Sequence, residues 1–136
     1  MMIVKCWNVR GLNSPLKQHE VVNLMKKSSV DVCGLLETKL SLAKVLALQK
    51  FRLKKWNFLT NAAPSSMARI VVFWNPSTVS VDMVSSSSQG LHVCVRSLVS
   101  QISFHVTFVY GLHTIVARRS LGIVFVIGAP RAHGWF

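Results

Sequence analysis

Lys5-Cys6-Trp7-Asn8-Val9-Arg10-Gly11-Leu12-Asn13 is the stretch that decides the fold. The apolar run leading into it, Met2 to Cys6, has strand length and β-branched content, and it ends on a polar cluster. Gly11 breaks the run. Ser14-Pro15 then opens a helix, with Ser as N-cap and Pro at the first helical position. Val21, Val22, Leu24 and Met25 share one side of the helical wheel, whereas Lys17, Glu20, Lys26 and Lys27 lie mainly elsewhere. The segment to Ser28 therefore predicts an amphipathic helix covering a sheet face. Val30 to Leu36 follows as a nearly all-apolar run, the pattern of a strand buried on both sides. Strand, helix, strand is a βαβ-like start. It places Asn8 and Arg10 at the carboxyl end of a buried strand, where open α/β sheets bind ligands. An ordinary strand-to-helix turn is the alternative reading of the same residues.

Composition bounds what such a start can grow into. At 136 residues the chain is one domain by length, long enough to bury a real core. A hydrophobic content of 51% and a mean hydropathy of +0.42 exclude a disordered chain. No apolar run reaches the roughly 18 residues of a membrane span. Lys5 close behind Met1, with no small-residue cleavage site, argues against a signal peptide. An intracellular location, the nucleus included, and no membrane partner are the expectations. Net charge is +12, with only Glu20, Asp31, Glu37 and Asp82 opposing sixteen Lys and Arg. Polyanions are the partners such a balance favours, nucleic acid ahead of an anionic membrane surface. Cys6, Cys33 and Cys94 are widely spaced in apolar strand patterns, which predicts buried thiols without disulfide partners.

Glu37 follows directly on the second apolar run, so a carboxylate is expected at the strand's end among few competing acids; a surface Glu paired with Lys39 is the alternative. Ser41 to Gln49 predicts a short helix. Lys50, Arg52, Lys54 and Lys55 then interleave with Phe51, Trp56 and Phe58. That stretch could track a phosphate backbone with stacking, or form a strand edge whose cations lie over apolar surface. Strands are predicted at 69–74 and 79–84, with a flexible serine-rich connection at 85–90. Alternation in Leu91 to Arg96 and again in Ile102 to Tyr110 predicts a hairpin. Antiparallel strands after a βαβ-like start argue α+β, with helices outside packed sheets.

Two motifs in order, Trp7-Asn8-x-Arg10-Gly11-Leu12 and Leu35-x-Glu37-Thr38-Lys39, give the chain a resemblance to the endonuclease/exonuclease/phosphatase superfamily. Within it, the chain looks like the opening of the endonuclease domain of plant LINE-type retrotransposons. The similarity runs from Met2 to about Leu121, roughly the first half of that domain. It implies a truncated α/β-sandwich of two packed, mainly antiparallel sheets with outer helices, and a division into a partial domain, 1–121, and a divergent apolar tail, 122–136. It further implies Mg²⁺-dependent phosphodiester cleavage of DNA. Asn8 matches the Asn near metal and phosphate, Glu37 the metal-binding Glu, and Tyr110 the Tyr contacting the phosphate. Arg10, Arg118 and Arg119 stand where phosphate or nucleic acid would be held.

The departures matter as much. Family members continue with a Gly-Asp-Phe-Asn motif, a further Asp and a terminal Ser-Asp-His segment. The nearest echo here is Ile127-Gly128-Ala129-Pro130, with Ala in place of Asp. His19, His92, His105, His113 and His133 have no ligand spacing and receive no role. One positioned carboxylate is a weak Mg²⁺ site, and the missing base alone removes about 10²–10⁴-fold of rate. The expectation is a catalytically inactive domain, ended early or shifted in reading frame after Leu121, with open strand edges. A non-catalytic basic nucleic-acid-binding module, and a transposon remnant without selected function, are the other readings.

Overall fold

The computed structural model describes residues 2–63, 66–100 and 102–109, together with the strand backbone of 119–120 and 123–127. The chain opens with β1 (Val4–Asn8), α1 (Pro15–Lys27), β2 (Val32–Leu40) and α2 (Leu42–Arg52). Strands follow: β3 (Asn57–Thr60), β4 (Ala68–Trp74), β5 (Val79–Ser86), β6 (Gly90–Ser97), β7 (Ser103–Val109), β8 (Arg119–Ser120) and β9 (Ile123–Ile127). They form a four-stranded sheet of order β1-β2-β4-β3 and a five-stranded sheet of order β5-β6-β7-β9-β8. Among the described residues only β1/β2 and β7/β9 pair in parallel. This is the α+β sandwich of two mainly antiparallel sheets expected from the sequence.

Alternation along the strands of the first sheet divides the core in two. Trp7, Cys33, Leu35, Val71 and Phe73 meet Val21, Val22 and Met25 of α1 and Val45 and Leu48 of α2. The residues between them, Val32, Leu36, Ile70, Val72 and Trp74, face the second sheet and pack on Val81, Leu91, Val93, Val106 and Phe108. A first sheet covered on both faces explains why β2 reads as an unbroken apolar run. At Gly34 the two sheets approach so closely that a Cβ would lie 2.3 Å from the Phe108 ring. Only glycine fits there.

The helices start where the sequence says, the first for the local reason given. Ser14 Oγ accepts from Lys17 N, and Ser41 Oγ from Lys44 N, each supplying a donor of the first turn with a partner. The second helix is longer than expected, because Lys50, Phe51 and Arg52 continue it rather than forming a strand edge. The serines at 85 and 86 extend β5, where they pair with His92 and Leu91. The hairpin of β6 and β7 is present in full, from Gly90↔Val109 to Arg96↔Ser103. Cys6, Cys33 and Cys94 are free thiols. Only Cys33 is fully buried; Cys6 and Cys94, expected as buried thiols, are half-buried because their positions face a partly covered side of their strands. Burial raises the pKa of Cys33 and Cys6, which keeps both as neutral thiols.

Two boundaries of β2 differ from expectation. The strand begins at Val32, so Asp31 precedes it rather than lying inside it. Asp31 Oδ2 accepts from Ile3 N at 2.7 Å and Oδ1 from Thr78 Oγ1 at 2.7 Å. Its own carbonyl accepts from Asn75 N. The side chain thus fastens the start of β1 and the β4–β5 connection to the start of β2. At the other end the strand does not stop at Glu37 but runs on to Leu40, through a bulge.

Candidate functional site

The bulge is the local event that builds the site. Leu36 pairs with Ile70 and Leu40 with Ala68, so the intervening residues of β2 outnumber those of β4. The surplus is accommodated by left-handed backbone at Glu37 (φ 59) and Lys39 (φ 56). Neither is glycine, and such conformations cost about 1–3 kcal/mol each unless the surroundings enforce them. The enforcement is visible. Thr38, fully buried, donates from Oγ1 to the Ala68 carbonyl at 2.6 Å and accepts from Leu40 N at 3.4 Å.

The segment after β1 follows the same irregular edge. Val9 N donates to the Leu36 carbonyl, Gly11 N to that of Glu37 and Leu12 N to that of Thr38. Arg10 (φ 50) and Gly11 (φ 93) supply the turn that permits this. Asn8 is buried (6% exposed), pairs with Leu36, and accepts the Arg10 N–H on Oδ1 at 3.1 Å. Asn13 closes the arrangement, donating to the Lys39 carbonyl at 3.0 Å and accepting from Lys44 Nζ at 2.8 Å.

Asn8, the last residue of β1, and Glu37, in the bulge of β2, are therefore one residue apart in register. Arg10 stands beside them. Of the remaining expected site residues, Tyr110 and Arg118 lie outside the described residues, and Arg119 contributes backbone to β8 in the other sheet. The Glu37 carboxylate has Lys39 Nζ at 3.9 Å, the surface pairing considered from sequence, and its side chain is 26% exposed.

Charge at this rim is mostly positive. By connectivity, α1 and α2 both begin at this end, and helix N-termini attract anions. A cleft of about 360 Å³ is lined by Arg10, Gly11, Asn13, Ser14, Lys17 and Glu20. Another, of about 380 Å³, is lined by Glu37, Lys39, Ser66, Met67, Ala68 and Arg69. The rim can hold phosphate groups of an extended polyanion.

An Mg²⁺ ion fits these residues poorly. Mg²⁺ requires an octahedral oxygen shell, whereas the Glu37 carboxylate already faces Lys39, the Asn8 amide oxygen is committed to a backbone N–H, and the rim's other carboxylate, Glu20, lines a separate cleft with Arg10 and Lys17. Among the described residues no group of three or more His, Cys, Asp or Glu could hold a metal ion.

Sequence reasoning passed over Thr38, Asn13, Lys44 and Arg69. Thr38 and Asn13 lay inside the quoted stretches, and their signal was available: a short polar side chain that must be buried needs backbone partners.

Comparison with solved structures agrees with the architecture. An endonuclease/exonuclease/phosphatase family protein from Bacteroides thetaiotaomicron aligns with a TM-score of 0.63 at 10% identity, over 82% of this chain and 51% of that one. The D. rerio TDP2 structure, complexed with a single-strand DNA product, gives 0.56 at 16% identity, over 79% and 44%. The AP endonuclease LMAP from Leishmania major gives 0.53 at 17%, over 80% and 39%. The fold is thus that of the endonuclease/exonuclease/phosphatase proteins, and the chain spans about half the length of the first of these structures or less. No protein-family model and no curated protein matches the sequence.

Proposed function

We propose that this chain is the first half of a nuclease domain of LINE-type retrotransposon descent, and that it binds DNA through its basic rim without cleaving it. The observation that carries the reading is the register that sets Asn8 opposite Leu36, one residue before Glu37, with Arg10 and Lys17 lining one neighbouring cleft, Lys39 and Arg69 another, and Lys44 on Asn13. The two motifs quoted from the sequence support the retrotransposon descent, and Tyr110, Arg118 and Arg119 take phosphate-contacting roles in it. Residues 122–136 form the divergent part.

Absence of cleavage follows from arithmetic of parts. Glu37 is the rim's one carboxylate suited to Mg²⁺, and transition-state charge on a phosphodiester needs a well-held ion or several aimed donors. Binding requires less, because phosphate contacts act through counterion release. Nicking of supercoiled plasmid in Mg²⁺ tests the catalytic half of the proposal. The chain and its Glu37→Ala variant are expected to give the same background, and nicking that depends on Glu37 would overturn it.

A further inference from the structure

On the outer face of the second sheet, His92 and His105 meet across the β6–β7 hairpin. We propose that this pair chelates a divalent transition metal of the Zn²⁺ or Ni²⁺ kind. The register sets His92 opposite Thr107 and Cys94 opposite His105, so the two histidines are diagonal neighbours on one face. Their inward-facing neighbours Leu91, Val93 and Val106 are buried in the core, which fixes the backbone beneath them. His92 Nε2 lies 3.1 Å from His105 Nδ1, and the rings stack with centroids 5.2 Å apart.

That separation matches a shared ion. Two imidazole nitrogens at zinc bonding distance, about 2.0–2.1 Å, lie about 2.9 Å apart at a right angle and about 3.4 Å apart at a tetrahedral one. The second nitrogen of His92, Nδ1, is held by Thr107 Oγ1. When that hydroxyl accepts the Nδ1 proton, Nε2 presents its lone pair to His105, the orientation that outer partners give metal-bound histidines. Without metal, His105 Nδ1–H can donate to His92 Nε2, so loading the site requires the other His105 tautomer and a turn of the rings that aims both lone pairs at the ion rather than at each other. Imidazole ligands select Zn²⁺, Ni²⁺ or Cu²⁺ over Mg²⁺. Among the described residues no third ligating side chain joins the pair, so water completes the shell.

Titration of the full chain with ZnCl₂ or NiCl₂ against a chromophoric chelator tests this. One metal equivalent is expected, with affinity falling about tenfold or more in His92→Ala and in His105→Ala, and unchanged in His19→Ala. Thr107→Val, a positioning change, is expected to weaken binding about tenfold. Undiminished binding by the His92→Ala/His105→Ala double variant would overturn the proposal. The unaltered protein gives a test independent of variant folding. Zn²⁺ should slow diethyl pyrocarbonate modification of His92 and His105 but not of His19, as read by peptide mass spectrometry; equal modification with and without Zn²⁺ would refute the site.

Discussion

Asp31 and Glu37 stand at opposite ends of β2, and the two carboxylates live in different chemical worlds. Asp31 accepts a backbone N–H and a threonine hydroxyl, both at 2.7 Å, and these tie together segments distant in sequence. Glu37 has a lysine at 3.9 Å, a partner that is itself 60% exposed. One acid is consumed by the fold. The other sits on strained backbone, loosely paired and open to a cleft. Asp31 also lines a cavity, of about 470 Å³, but its two oxygens are already held by fixed donors and contribute stability; a carboxylate left with an exposed ion pair contributes little stability and keeps its oxygens available. The regular end of the sheet thus ties distant segments together, and the bulged end leaves a loosely paired carboxylate beside a cleft.

If that contrast is right, the largest loss falls at the regular end. Asp31→Ala removes both bonds and strands the Ile3 N–H, for an expected cost of about 2–4 kcal/mol in urea unfolding. A cost under about 1 kcal/mol would mean that Asp31 is no more structural than Glu37. Thr38→Val comes next, at about 1–3 kcal/mol, since the buried Ala68 carbonyl and Leu40 N–H lose their partner. An unchanged unfolding midpoint would show that the bulge is held by other contacts. Glu37→Ala should cost less than about 1 kcal/mol, the range of exposed ion pairs. Glu37→Gly should be at least as stable as Glu37→Ala, because glycine accepts the left-handed backbone that alanine resists by about 1–2 kcal/mol. Smallest in energy is a chemical contrast in the core: iodoacetamide should label Cys94 in the native state, while fully buried Cys33 should react only on unfolding. Equal labelling would show that the first sheet's helix-side packing opens readily.

What the sequence revealed, and what it hid, follows the range of the interactions. Ser14 was readable as a cap because it acts on a residue three positions on. The β6–β7 hairpin was readable because alternation and a short gap are local signals. The bulge was not, since its surplus is defined only against β4 and stabilised by carbonyls accepting from residues 9–12. Asp31 resembled a strand residue because its hydroxyl partner lies 47 positions away. His92 and His105 carry no ligand spacing in sequence, and only the hairpin register brings them together. The parallel register that sets Asn8 opposite Leu36, by contrast, followed directly from reading two strands joined by one helix.

The most direct test sets the two ends of the molecule against each other. By connectivity, Lys26, Lys27 and Lys54 lie at the end where Asp31 sits, and Arg10, Lys17 and Arg69 at the rim with Glu37. DNA affinity measured across a salt series should weaken in the triple Ala variant of Arg10, Lys17 and Arg69. The slope of log affinity against log salt should shrink by about one for each phosphate contact removed. The matching variant of Lys26, Lys27 and Lys54 should leave that slope nearly unchanged. A loss confined to the far-end variant, with the rim variant binding as before, would contradict the assignment of the bulged end as the nucleic-acid site.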